Sequence, residues 1–187
     1  DLSYALDFMT EQNNDANSSF FRTLDTSLIG VYGHSTGGGA AIQFCGIDSR
    51  CKALLGQDPF LRPVSEEILQ RGVTQPALFM FSQRWHDDTE SLNNRQFKPF
   101  FENAKQPLGA VYIEGAAHYD FSDLPRLSPL APQLGLKGPI NGKRVTTIVD
   151  NYLLAFFDMT LKGNVSDLFK STYVKYPEVK YLYGQDQ

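Results

Sequence analysis

The chain is poor in the residues that build metal sites and covalent frameworks. Among 187 residues there are two cysteines, three histidines and one tryptophan. Two cysteines with three scattered histidines do not supply a zinc site. Cys45 and Cys51 allow a single pairing. It is either a disulfide, which indicates an oxidising compartment and hence a secreted or periplasmic protein, or two buried thiols. Basic residues are also scarce: 17 Lys and Arg stand against 21 Asp and Glu, a formal net charge of -4. That balance gives no basis for nucleic acid or an anionic membrane surface as partner. No apolar run approaches the roughly 18 residues of a membrane span. The opening Asp-Leu-Ser-Tyr has neither a Met nor a charged-then-apolar leader pattern, and reads as a processed or cut end.

What is present is an alternation of short apolar runs with helical patterns. Leu2, Ala5, Leu6 and Met9 recur at helical spacing. The runs at 27–33, 52–58, 76–82 and 108–115 read as buried strands. Between them, 36–46 reads as a Gly/Ala-rich helix. Residues 65–72 read as a helix capped by Ser65 and stopped by Gly72, and 89–104 as a helix interrupted at Pro99. Val145, Ile148, Val149, Tyr152, Leu153, Phe156 and Leu161 form an amphipathic helix ended by Gly163. The tail from Ser166 holds at most one short helix, and its end reads as frayed. This is an α/β pattern: one domain over 1–187, a mainly parallel sheet with flanking helices. In such sheets ligands bind at the carboxyl ends of the strands. Those ends are Gly33 to Ser35, Gln57 to Asp58, Ser82 to Asp88 and Gly115 to His118, so a serine, acids and a histidine share one rim.

Gly33-His34-Ser35-Thr36-Gly37 is a G-x-S-x-G between a strand and a helix, the context of a nucleophile elbow. Both flanking glycines are expected to be sterically required there. A serine hydroxyl needs a base within hydrogen-bond reach, and the base needs an orienting acid. His118 is the favoured base; His34 should point away from the serine, and His86 reads as a solvated loop residue. Asp58, fixed at a strand tip before Pro59, is favoured as acid over Asp87 and Asp88. The Thr36 N–H is the expected oxyanion donor. His34, Phe60 and Trp85 are pocket-wall candidates. The long 119–142 connection carries five leucines that either line an acyl pocket or pack inward as a crossover. Asp120 and Asp123 read as loop-ordering or helix-capping groups rather than catalytic ones.

Four stretches, "GVYGHSTGGGAA", "GQDPF", "GAAHYDFSDLP" and "LLAFFDMTLKG", resemble the platelet-activating factor acetylhydrolase-like branch of the α/β-hydrolases, especially its bacterial esterases. The likeness runs from about Asp25 to Gly163. Its more specific marks are the acid 23 residues after the serine and a histidine followed by Phe121 and Asp123. The resemblance implies the same triad of Ser35, Asp58 and His118, hydrolysis of carboxylic esters through an acyl-enzyme, and no cofactor or metal. The substrate is then a small-molecule or lipid ester. Acyl transfer on the same triad, and an inactive fragment or non-catalytic relative, are the alternatives. In that fold the elbow follows a fifth strand, and no strand is visible before this one. The chain is therefore expected to be the C-terminal part of an α/β-hydrolase. Its exposed first strand would be covered by a missing N-terminal half or by a second copy, and the second oxyanion donor would lie outside the chain.

Overall fold

The computed structural model describes residues 1–170 and 174–183. Helix α1 (Leu2–Asn14) leads through a loop to strand β1 (Ile29–His34). Then follow α2 (Thr36–Ile47), β2 (Cys51–Gln57), α3 (Glu66–Arg71), β3 (Pro76–Ser82), α4 (Gln83–Asp87), α5 (Leu92–Asn103) and β4 (Gln106–Ile113). A 3-10 turn at His118–Phe121, α6 (Leu124–Leu127), α7 (Gly142–Lys162), a second 3-10 turn at Asp167–Phe169 and β5 (Val179–Tyr183) complete it. The sheet order is the chain order, β1-β2-β3-β4-β5. The first four strands are parallel and β5 runs antiparallel to β4.

Strand alternation sorts the core into two layers. Leu54, Ala77, Phe79 and Phe81 point to one face, where Ile42 and Phe44 of α2, Ile68 of α3, and Phe97, Phe100 and Phe101 of α5 cover them. Ala53, Leu55, Leu78, Met80, Val111 and Ile113 point to the other, beneath Val145, Ile148, Tyr152 and Phe156 of α7. Strands β2 and β3 are buried on both faces and read as continuous apolar runs, whereas β1, expected to be buried, alternates half-buried and exposed positions along its length as the edge strand. Helix α7 ends at Gly163 in the left-handed conformation, φ 72°.

Several elements depart from the sequence reading. Helix α5 runs through Pro99 without a break. The proline is exposed on the outer side, while three buried phenylalanines hold the helix to the sheet. The propensity cost is thus overridden by packing. Ser65 precedes α3, but its hydroxyl makes no capping bond; its N–H donates to Gln43 Oε1 at 2.8 Å. The tail contributes a real strand, β5, because an antiparallel edge strand can be short and half-exposed. Residues 184–187 of that tail lie outside the described residues. The leucines of the 119–142 connection neither pack inward nor all face a pocket: Leu124, Leu127, Leu130 and Leu134 are exposed, and Ala131 is the buried anchor. Cys45 and Cys51 form a disulfide, joining the end of α2 to the start of β2.

Candidate active site

The elbow is built by close approach. A Cβ on Gly33 would sit 2.3 Å from the Gly37 carbonyl oxygen, so that position admits only glycine. The expectation for Gly37 fails, because a Cβ there meets nothing within 4 Å. The tight contacts fall instead on the next two residues. Gly38 abuts Pro59, and a Cβ on Gly39 would lie 2.0 Å from the Phe60 carbonyl oxygen. These glycines therefore dock α2 against the turn that carries Asp58. Three backbone bonds fix the same junction: Ser35 N–H to Gln57 O, Phe60 N–H to Ser35 O and Asp58 N–H to Met80 O, each at 2.9 Å. Ser35 and Asp58 both have positive φ, 56° and 40°, uncommon for residues other than glycine.

Ser35, His118 and Asp58 form one hydrogen-bonded series. His118 Nε2 lies 3.0 Å from Ser35 Oγ, and Nδ1 lies 3.0 Å from Asp58 Oδ2. The Asp58 side chain is fully buried and that of His118 is 20% exposed. Burial pushes the Asp58 carboxyl above the usual carboxylate range; the donors on His118 and Ser82 pull against it. A carboxylate on Nδ1 keeps the proton on that nitrogen and leaves Nε2 free to accept from serine. Thr36 opens α2, and its N–H is among the first-turn amides that have no intrahelical acceptor. Asp87 instead pairs with His86 at 3.0 Å, and His86 sits on α4, stacked on Tyr112, rather than on a loop.

The turn that carries His118 is fastened from two sides. The buried Asp120 carboxylate accepts the N–H groups of Ala117 and Gly138, both at 2.8 Å, tying the turn to the far end of the leucine-rich connection. From α4, Gln83 Oε1 accepts the Gly115 N–H at 2.7 Å. Asp120 therefore orders the loop, while Asp123 is exposed and pairs with Arg126.

Comparison with known proteins decides the family. The family model described as platelet-activating factor acetylhydrolase, isoform II, matches residues 9–170. The chain belongs to that family. It is 26% identical over 141 residues to the platelet-activating factor acetylhydrolase of Cavia porcellus, covering 74% of this chain and 31% of that protein. For the Gallus gallus enzyme the figures are 27% over 163 residues, 86% and 38%. Cutinase est2 of Thermobifida alba is 30% identical over 120 residues, covering 63% of this chain and 37% of the cutinase. The chain thus spans about a third of the length of the curated relatives it matches. A solved ferulic acid esterase from Streptomyces cinnamoneus shares the fold, with a TM-score of 0.76 at 23% identity, over 97% of this chain and 54% of that one.

The acetylhydrolase-family site opens onto a cleft of about 1550 Å³. Phe60, Leu61, Trp85, Leu134 and Leu136 border it beside His118. His34 is not on that wall; it lies against the His118 ring, centroids 4.4 Å apart. Desolvation, and then the nearby His118, hold its imidazole down to about 4. Donor atoms of His34, Asp58 and His118 fall within 4.8 Å of one another. Two of the three already bond each other, so a metal ion there would have to break the series. Sequence reasoning missed Ser82. Its N–H and O–H donate to Asp58 at 2.8 and 2.6 Å, and its oxygen accepts the Trp85 N–H at 3.2 Å. It is fully buried, its bonds run to Asp58 and Trp85, and His118 Nε2 pairs with Ser35, so Ser82 holds the acid rather than competing with Ser35. The available signal was its place at the tip of β3, the strand beside the acid.

Proposed function

We propose that the chain carries the reacting half of a carboxylic ester hydrolase, in which Ser35 is the nucleophile, His118 the general base and acid, and Asp58 the orienting acid. The unbroken Ser35–His118–Asp58 series carries this reading. Ser35 Oγ attacks the ester carbonyl carbon as its proton passes to His118 Nε2. The oxyanion is received by the Thr36 N–H at the start of α2. His118 then protonates the leaving alcohol, giving acyl-Ser35. Water attacks the acyl carbon, returns a proton through His118, and releases the acid and the free serine. A second alcohol in place of water would give acyl transfer on the same residues. The apolar wall from Phe60 to Leu136 suits a small-molecule or lipid ester, and the acetylhydrolase and cutinase names of the relatives point the same way.

The same proposal makes the chain one part of a single α/β-hydrolase domain. Earlier strands of the sheet, and the second oxyanion donor, belong to a longer protein or to a part paired with this one. Its support is the open side of β1 and the fraction of the relatives' length covered. The disulfide supports a secreted or periplasmic location.

Treatment of the 187-residue chain with a p-nitrophenyl phosphonate tests the chemistry. The expected result is one equivalent of p-nitrophenol released and a mass adduct on the Ser35 peptide, abolished in Ser35→Ala. An adduct elsewhere, or undiminished reaction of Ser35→Ala, overturns it.

A further inference from the structure

The His118 imidazole packs among three other rings. Trp85 stacks on one face, centroids 4.7 Å apart and planes 16° from parallel. His34 lies against the same ring at 4.4 Å, tilted by 43°. Tyr119 approaches edge-on at 5.1 Å. Trp85 is held where it is: its N–H donates to Ser82 Oγ at 3.2 Å and its carbonyl accepts from Asn94 Nδ2 at 2.6 Å. Its indole N–H, however, is buried without an acceptor among the described residues. An unpaired buried donor is a cost that phenylalanine in the same place would avoid. What indole offers over phenyl is the strongest π-face for a cation. The ring beneath it becomes a cation each time it takes the serine proton.

We propose that Trp85 is a positioning residue for His118: it clamps the imidazole against His34 and favours the imidazolium that forms as Ser35 attacks. The proposal rests on the functional reading above for its purpose, but the stacking and its effect on protonation stand without turnover. The charged and titratable groups around His118 are few. Asp58 faces it from the end of β2 and His34 from the end of β1. Tyr119 and Asp120 share its turn. Arg84 on α4 and Asp88 beyond it border the same cleft. His34 is held neutral down to about 4, so it brings no charge of its own to the pair near neutral pH.

Trp85 is also the single tryptophan of the chain, so its emission reads its own neighbour. A protonated imidazole in stacking contact quenches indole. Emission of the wild-type chain should therefore fall on acidification with the midpoint that NMR gives for the His118 ring. The change should vanish in His118→Gln and persist in His86→Ala, which removes the other histidine near Trp85. Trp85→Phe and Trp85→Leu both keep an apolar cover. By NMR the His118 midpoint should fall in the order Trp, Phe, Leu, by about 0.4 to 1.5 pH units in all. Emission indifferent to His118→Gln, or a His118 midpoint unchanged or raised in Trp85→Leu, overturns the proposal. Phosphonate labelling of the same samples separates the two readings: an intact titration without labelling of Ser35 sinks the proposed function and leaves the clamp standing.

Discussion

At the scale of single residues, the site depends on side chains that never meet substrate. Asp58 is fully buried, and a buried carboxylate is tolerable only when donors surround it. Ser82 supplies two of them, one from the backbone and one from the hydroxyl. Ser82→Ala removes the hydroxyl alone. The expected consequence is a loss of about 1–3 kcal/mol in unfolding free energy, since one buried acceptor loses a partner. Phosphonate labelling of Ser35 should slow at the same time, because Asp58 and the start of α4 both lean on that oxygen. Chemical denaturation beside a labelling time course checks both; a variant with unchanged stability and rate would contradict the role given to Ser82. Ser82 was not legible in the sequence because its importance is lateral. It is 24 residues from Asp58 along the chain, and only the register of β2 against β3 makes them neighbours.

At the scale of elements, the decisive object is the junction of α2 with the Asp58 turn. The G-x-S-x-G pattern suggests two required glycines, but the contacts assign the requirement to Gly33, Gly38 and Gly39. Gly37→Ala should fold as the parent does and gain slightly in helix propensity. Gly39→Ala drives a methyl into the Phe60 carbonyl and should cost more than about 2 kcal/mol, with Asp58 displaced. Thermal melts of the two variants, with Ser35 labelling as a second readout, separate them; equal behaviour would mean that the junction is looser than described. The strands, the elbow and the meeting of serine, histidine and acid on one rim were legible, because buried parallel strands and strand-tip residues leave local patterns. The unbroken α5, the strand β5 and the exposed leucines were not. Each is set by what the segment packs against, which a local pattern does not contain.

For the whole molecule, the sheet is asymmetric. Among the described residues β5 ends one side, antiparallel and paired with β4 alone, and β1 ends the other, parallel and paired with β2 alone. Leu28, just before β1, and Tyr32 within it are exposed, and elsewhere so are Leu2, Tyr4 and Phe8 of α1. An open strand edge beside apolar side chains is a template for association. In isolation the 21.0 kDa chain should elute as larger species. Tyr32→Lys, which places a charge on that strand, should shift it toward monomer. A wild-type chain that stays monomeric at about 100 μM, well within the micromolar-to-millimolar range where exposed edges aggregate, would argue that the edge is protected.

The disulfide divides labour along β2. Its cysteines join the strand's first residue to the end of α2, whereas Asp58 follows the strand's last residue. Seven strand residues separate the two ends, about 23 Å of extended chain. A reductant acts on one pole of the sheet and the reaction on the other. Loss of the bridge therefore weakens the anchorage of α2 at the pole remote from the serine, and durability in a harsh medium can be altered there with little change to the reacting groups.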